Sequence, residues 1–210
     1  MSTLLRIDSG MDPAASVSRR LTEAFTEGFV RTHPDDGRIV ARDLQADPPP
    51  HLPFFGLHFP TRDGVPSEHP SRVLQDTLIE ELLSADAVVI GAPLYNYSVP
   101  STVKAWMDYV HVPGRTAMES DGTGPLVGKP AVVLSSRGAA YDSESEAALD
   151  HGVPALRALL GSAMGMTVEA ITVDRTLAHA LPELDAERAS VDLEAALEEA
   201  AVKGAGLTLS

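Results

Sequence analysis

A short apolar run followed by a stripe of apolar residues at helical spacing recurs five times along the chain, and this alternation constrains the fold more than any other feature. Residues 3–7 (TLLRI) read as a strand, and Val17, Leu21, Phe25 and Phe29 repeat at every fourth position as one face of a helix. The pattern predicts further strands at 38–43, 86–91, 130–135 and 167–173. It predicts helices over 71–84, 101–111, about 144–161 and about 184–203, with Val73, Leu74, Leu78, Leu82 and Leu83 of the first of these facing inward.

Strands that alternate with helices return by right-handed crossovers, so they build a parallel sheet covered by helices on both faces, the α/β class. Five strands in 210 residues favour the order 2-1-3-4-5, the flavodoxin-like arrangement, over a six-stranded dinucleotide fold. A chain of this length buries one core, so 1–210 is expected to form a single domain. The connection 44–70 carries Pro48, Pro49, Pro50, Pro53, Pro60, Pro66 and Pro70 among Phe54, Phe55 and Phe59. It is too long and too rich in proline for an ordinary link and reads as an excursion, whose aromatics either cap a pocket, meet a second subunit or pack locally.

Several chemistries are excluded early. The chain has no cysteine, which removes disulfides, cysteine-ligated metal and a thiol nucleophile. A formal charge of −14 opposes a phosphate-backbone partner, so no nucleic acid is expected. The acidic residues Asp185, Glu187, Asp192, Glu194, Glu198 and Glu199 fit the solvated face of a terminal helix. No stretch of about eighteen apolar residues and no charged leader with an apolar core is visible, so a cytoplasmic protein without a membrane span is expected.

Ligands of open parallel sheets sit beyond the carboxyl ends of the strands, where the strand order reverses. That rule selects three loops. The first, from Asp8 to Ser18, brings Ser9, Ser16 and Ser18 around one turn where a helix begins, a place that offers unpaired N–H groups to a phosphate. Either Ser16 or Ser18 also fits an ordinary N-cap. The second, Pro93-Leu94-Tyr95-Asn96-Tyr97, offers two rigid aromatic walls and an amide suited to a flat heteroaromatic ring, although the same residues fit a plain turn. In the third, Gly138 would let backbone approach such a ring and Arg137 would bring a cation near it. The glycines Gly122, Gly124 and Gly128 precede a strand instead of linking strand to helix, so they are no dinucleotide fingerprint. Ser135 and Ser136 lack the G-x-S-x-G context of a hydrolase, and His151 and His179 have no spacing that marks a base.

Ile7-Asp8-Ser9 with Ser16-Val17-Ser18, Ala92-Pro93-Leu94-Tyr95-Asn96-Tyr97 with the following P-S-x-x-K-x-aromatic run to Trp106, and Ser136-Arg137-Gly138 resemble the FMN-dependent NADH-azoreductase family, relatives of NAD(P)H:quinone oxidoreductases. The resemblance implies a flavodoxin-like homodimer with one FMN per subunit at the subunit boundary. It implies electron transfer from NADH or NADPH through the flavin to a quinone or azo compound, with the flavin and no side chain carrying the chemistry. Carried onto this sequence, Ser9, Ser16, Val17 and Ser18 hold the phosphate, and Pro93, Leu94, Tyr95, Asn96 and Tyr97 the isoalloxazine. Ser136, Arg137, Gly138 and Ala139 take its pyrimidine side, with Tyr141 as a further contact. Ala139 stands where the family usually has a second glycine, and Gly10 where a second serine is common. Ala117 and Glu119, around Met118, stand where relatives place aromatics against the substrate, which implies a wider pocket for a bulkier acceptor such as a polycyclic quinone. A flavodoxin-type carrier without its own NAD(P)H activity is the alternative of another class, and a serine esterase a more distant one.

Overall fold

In the computed structural model of the protein, which describes residues 1–52, 61–181 and 183–207, the apolar run Ala87–Gly91 is buried at every position. That is what a central strand covered on both faces requires. It forms β3 of one sheet whose other strands are β1 (Ser2–Asp8), β2 (Gly37–Asp43), β4 (Pro130–Ser136) and β5 (Thr167–Val173). All four pairings are parallel and the order is β2-β1-β3-β4-β5, as the alternation predicts. The edge strands β2 and β5 are only partly buried.

Helices α1 (Val17–Thr32) and α6 (Ala186–Ala205) cover one face, where Leu21, Phe25 and Phe29 pack with Leu4, Val89, Leu134 and Ala200. The other face carries α2 (Pro70–Ser84), α3 (Ser101–Val110) and α5 (Gly152–Leu156), through Leu78, Leu82, Trp106, Tyr109 and Leu156. The crossing of α1 and α6 is close because both helices present glycine. A Cβ on Gly28 would lie 2.1 Å from the Ala201 carbonyl oxygen, and one on Gly204 2.0 Å from that of Phe25. The half-buried Lys129 ties β4 to α2, its Nζ donating to the carbonyls of Leu82 and Leu83, both at 2.9 Å, at the negative end of the helix dipole. Burial pushes its ammonium pKa down.

Two expectations change. Val73 is exposed, and α2 instead buries Gln75 and Ile79. Gln75 is tolerated inside because its Nε2 donates to the Tyr109 carbonyl at 3.1 Å and its Oε1 accepts from Arg62 Nε at 2.9 Å. The helix expected over 144–161 is two elements, α4 (Glu144–Ala147) and α5, the latter continuing as a π-helical stretch, Arg157–Ala163. The break arises at Asp150, whose Oδ1 accepts from the amides of Gly152 at 2.8 Å and Val153 at 3.2 Å and so starts a fresh helix. Of the excursion at 44–70, a 3₁₀ turn covers Thr61–Gly64, whereas Phe54, Phe55 and Phe59 lie outside the described residues.

Candidate functional site

Where the strand order reverses, between β1 and β3, a cleft of about 280 Å³ opens beyond the carboxyl ends of the strands. Its walls are Met11, Asp12, Ala15, Ser16 and Val17 from the first loop, Pro93, Leu94 and Tyr95 from the second, and Ser136 and Gly138 from the third. A fourth wall, Thr176, Leu177 and His179 from the β5–α6 connection, has no counterpart in the sequence reading.

The first loop is built to leave hydrogen-bond donors free. Asp12 turns the chain by accepting from the amides of Ala14 at 2.8 Å and Ala15 at 3.0 Å, and these two bonds hold its carboxyl below the usual range. Its carbonyl accepts from the Ser16 amide at 3.1 Å. The amides of Val17, Ser18 and Arg19, in the first turn of α1, have no acceptor among the described residues. Ser16 stands at the N-cap but its side chain caps nothing. Its Oγ lies 3.1 Å from Ser18 Oγ, so the two hydroxyls form a pair beside the free amides. Gly10 permits this approach, for a Cβ there would sit 2.1 Å from Ser16 Oγ. Ser9 is placed differently from the other serines: fully buried, it donates to the Gly91 carbonyl at 2.7 Å and braces the loop from beneath. Arg19 completes the scaffold. Its Nε donates to the Gly10 carbonyl at 2.9 Å and its other nitrogens grip both oxygens of Asp43 at 2.8 Å, which pushes the Asp43 carboxyl down to about 2.

The second loop is a two-residue hairpin turn. Tyr95 and Ser98 exchange backbone bonds of 2.9 and 3.1 Å, and Asn96 (φ 48°) and Tyr97 (φ 69°) both occupy the left-handed region, the type I′ geometry. Asparagine accepts that conformation, whereas for tyrosine it costs about 1–2 kcal/mol. The cost is sustained because the turn is pinned from three sides. The Leu94 amide donates to the Ser136 carbonyl at 2.8 Å, the His151 amide to the Tyr97 carbonyl at 2.9 Å, and the Met11 amide to the Tyr95 hydroxyl at 3.0 Å. With its turn so fixed, Tyr97 keeps a side chain that is 55 % exposed. Pro93 is buried at the cleft and Pro100 stands at the N-cap of α3.

In the third loop Arg137 is occupied. Its Nε donates to Asp174 at 2.5 Å and its Nη1 to Asp150 at 3.2 Å, and its guanidinium lies 4.7 Å from the centre of the Tyr141 ring. Burial, the main cause, raises the pKa of that phenol. Arg137 therefore organises the loop, its charge matched by two carboxylates, instead of presenting a free cation. Ala139 is exposed and Gly138 faces the side chain of Leu177, whose Cδ1 would lie 2.8 Å from a Cβ at that position.

Ala117, Met118 and Glu119 lie elsewhere. Met118 donates its amide to the Ala163 carbonyl and Glu119 its amide to the Thr123 carbonyl, both at 2.8 Å, in the segment that α3 delivers to the opposite end of the sheet. Ten residues of α3 span about 15 Å. Within one chain this segment does not line the cleft. The same end holds the larger cleft of the two, about 650 Å³, between β2 and α2, lined by Arg38, Asp76, Glu80, Glu81 and Arg115 among others. Asp76 there is bound by Arg115 at 2.6 Å and by Arg62.

Comparison with known proteins gives relatives over nearly the whole chain. A family model described as the flavodoxin-like fold matches residues 2–201. An FMN-dependent NADH:quinone oxidoreductase of Kineococcus radiotolerans is 44 % identical over 206 residues, 95 % of this chain and 97 % of the relative. One of the same description from Parafrankia sp. is 40 % identical over 190 residues, 89 % of this chain and 90 % of the relative. Among solved structures, an azoreductase from Bacillus anthracis superposes with a TM-score of 0.82 at 26 % identity, covering 99 % of this chain and 100 % of the other.

Proposed function

The chain belongs to the flavodoxin-like fold family, and on that footing we propose that it is an FMN-dependent oxidoreductase passing electrons from NADH or NADPH to a quinone or azo acceptor. The observation that carries the reading is the start of α1, where three amides have no acceptor among the described residues and the hydroxyls of Ser16 and Ser18, bonded only to each other, lie beside them. Unpaired donors at the positive end of a helix fit a phosphate monoester, and Gly10 leaves that cradle open where any side chain would fill it. Held there, FMN would supply the hydride and electron transfer between nicotinamide and acceptor, while the protein would supply its position.

The chain's own residues bind and orient. Ser16 and Ser18 and the amides of Val17 and Ser18 hold the phosphate, with Ser9 bracing the loop under them. Pro93, Leu94 and Tyr95 form the wall along the cofactor, and Asn96 and Tyr97 present a rigid polar and aromatic edge to the ring. Ser136, Gly138 and Ala139 approach its pyrimidine side through backbone, while Arg137 and Tyr141 keep that loop in shape. No side chain in the cleft is required as an acid or base, since water can deliver protons at an open edge.

We further assign a homodimer in the cytoplasm. The dimer accords with the segment Ala117–Glu119: α3, about 15 Å long, carries it away from the cleft of its own chain, so that it would meet the flavin of a second copy. The preference for a bulky polycyclic quinone rests on that arrangement. A membrane site has no support in the helices, since no described helix is long and apolar enough to cross a bilayer. Ser135 and Ser136 have no histidine hydrogen-bonded to them among the described residues, so a hydrolase lacks its base.

The visible spectrum of the purified protein, followed on anaerobic addition of NADH, tests the reading. Flavin bands that bleach on mixing without a second protein are expected. Bands that persist would make the protein an electron carrier, and saturating FMN without any binding would end the proposal.

A further inference from the structure

The β5–α6 connection is held in place more firmly than an ordinary surface loop. The amides of Arg175, Thr176 and Leu177 donate to the carbonyls of Ala139, Arg137 and Gly138 at 3.0, 3.1 and 3.2 Å, and the Arg137 amide returns a bond to the Val173 carbonyl at 2.8 Å. Arg175 sits at φ 59°, a conformation unfavourable to a residue that is not glycine. Its side chain is buried and clamped by Asp142, with Asp192 at 3.6 Å. Backbone held against its preference by several partners at a cleft is a mark of function.

What the clamped segment displays is ordered along the cleft. Leu177 lies over Gly138, at the end where the third loop meets it. His179 lines the same cleft as Ser16 and Val17, and a neighbouring cleft of about 260 Å³ between α1 and α6 shares Val17, Thr176 and His179 with the first. The charged residues lining these two clefts are already engaged: Asp12 by the amides of Ala14 and Ala15, Asp174 by Arg137 and the Tyr141 amide, and Arg175 by its carboxylates. The exposed imidazole of His179 has no hydrogen-bond partner among the described residues.

We propose that the β5–α6 connection is a fourth wall of the FMN site, with His179 donating to the phosphate beside Ser16 and Val17 and Leu177 covering the ring end at Gly138. This rests on the flavin reading above and extends it to residues of a loop that carries no motif. The two side chains have separable effects, because riboflavin shares the ring and the ribityl chain with FMN but has no phosphate.

The test is titration of apo-protein with FMN and with riboflavin, followed by quenching of flavin fluorescence, for the wild type, His179→Ala and Leu177→Ala. Because both side chains are solvent-exposed, the variants should fold, which circular dichroism checks. For His179→Ala the Kd for FMN should rise about tenfold while that for riboflavin stays unchanged. For Leu177→Ala both values should rise by a common factor. An FMN Kd unaltered in His179→Ala, an equal loss for both ligands in that variant, or an unchanged or tighter Kd in Leu177→Ala overturns the inference while leaving the flavin site in place. Absence of FMN binding by the wild type overturns this inference and the reading it rests on together.

Discussion

The two ends of the sheet differ in a way that volume alone misrepresents. The amino ends of the strands carry the larger cleft, about 650 Å³ against 280 Å³, yet at the former Asp76 is already bound by Arg115 and Arg62. At the carboxyl ends three helix amides have no acceptor among the described residues, two serine hydroxyls face each other, and three non-glycine residues, Asn96, Tyr97 and Arg175, hold left-handed backbone. Empty space shows only where something fits. Unsatisfied donors and backbone kept in a costly conformation show where something is expected.

If that contrast is right, removing donors from the carboxyl end should have the largest consequence. Replacing Ser16 and Ser18 together by alanine should weaken FMN binding by at least about a hundredfold, from two charge-assisted bonds, as measured by fluorescence titration. Gly10→Ala approaches the same cradle by crowding. Its new Cβ forces the Ser16 hydroxyl away, and about a tenfold loss in FMN affinity is expected with the melting temperature little altered. Tyr97→Gly sharpens the argument about strain, because Asn-Gly is the preferred pair for a type I′ turn. The variant should be more stable by about 1 kcal/mol, read as a rise of about 2–4 °C in Tm, while binding FMN less well; a loss of stability would remove the strain argument.

A smaller effect concerns acid. The folded pKa of Asp43, about 2, lies below that of the unfolded chain, so its bond to Arg19 contributes stability that is complete above about pH 4 and fades as pH falls toward 2. Urea titrations of Asp43→Asn should show lower stability at neutral pH and a flatter decline across that window. The smallest effect is expected from the opposite end, where Glu80→Gln should leave FMN affinity as it is. A clear loss there would erase the distinction between the two ends.

How far the sequence alone reveals the molecule follows the same division. The strands and their order are legible because periodicity records burial, and burial is set by the layers of the fold. The misread positions are those where a side chain makes a bond that periodicity does not record: Gln75 is inside because it bonds to the Tyr109 carbonyl and to Arg62, far along the chain, and the helix expected over 144–161 breaks because Asp150 accepts locally from the Gly152 amide. Ser16 was legible as a residue at a helix start, but whether it caps that helix depends on a rotamer. The wall of Thr176, Leu177 and His179 has no pattern in the chain, since only the β4–β5 pairing brings it to the cleft, and nothing in the letter code marks Arg175 as left-handed. The place of Ala117, Met118 and Glu119 in the substrate pocket rests on resemblance alone, and α3 carries them away from the cleft of their own chain.

The hydrogen bond from the Met11 amide to the Tyr95 hydroxyl joins the loop that would grip the tail of the cofactor to the loop that would seat its head. A joint of this kind turns two grips into one gauge: the spacing between anchor and seat is fixed by the protein before any ligand arrives. Tyr95→Phe would leave the hydrophobic wall standing and take away only the measuring length, so cofactors of the wrong reach, which the native chain should refuse, would become easier to admit.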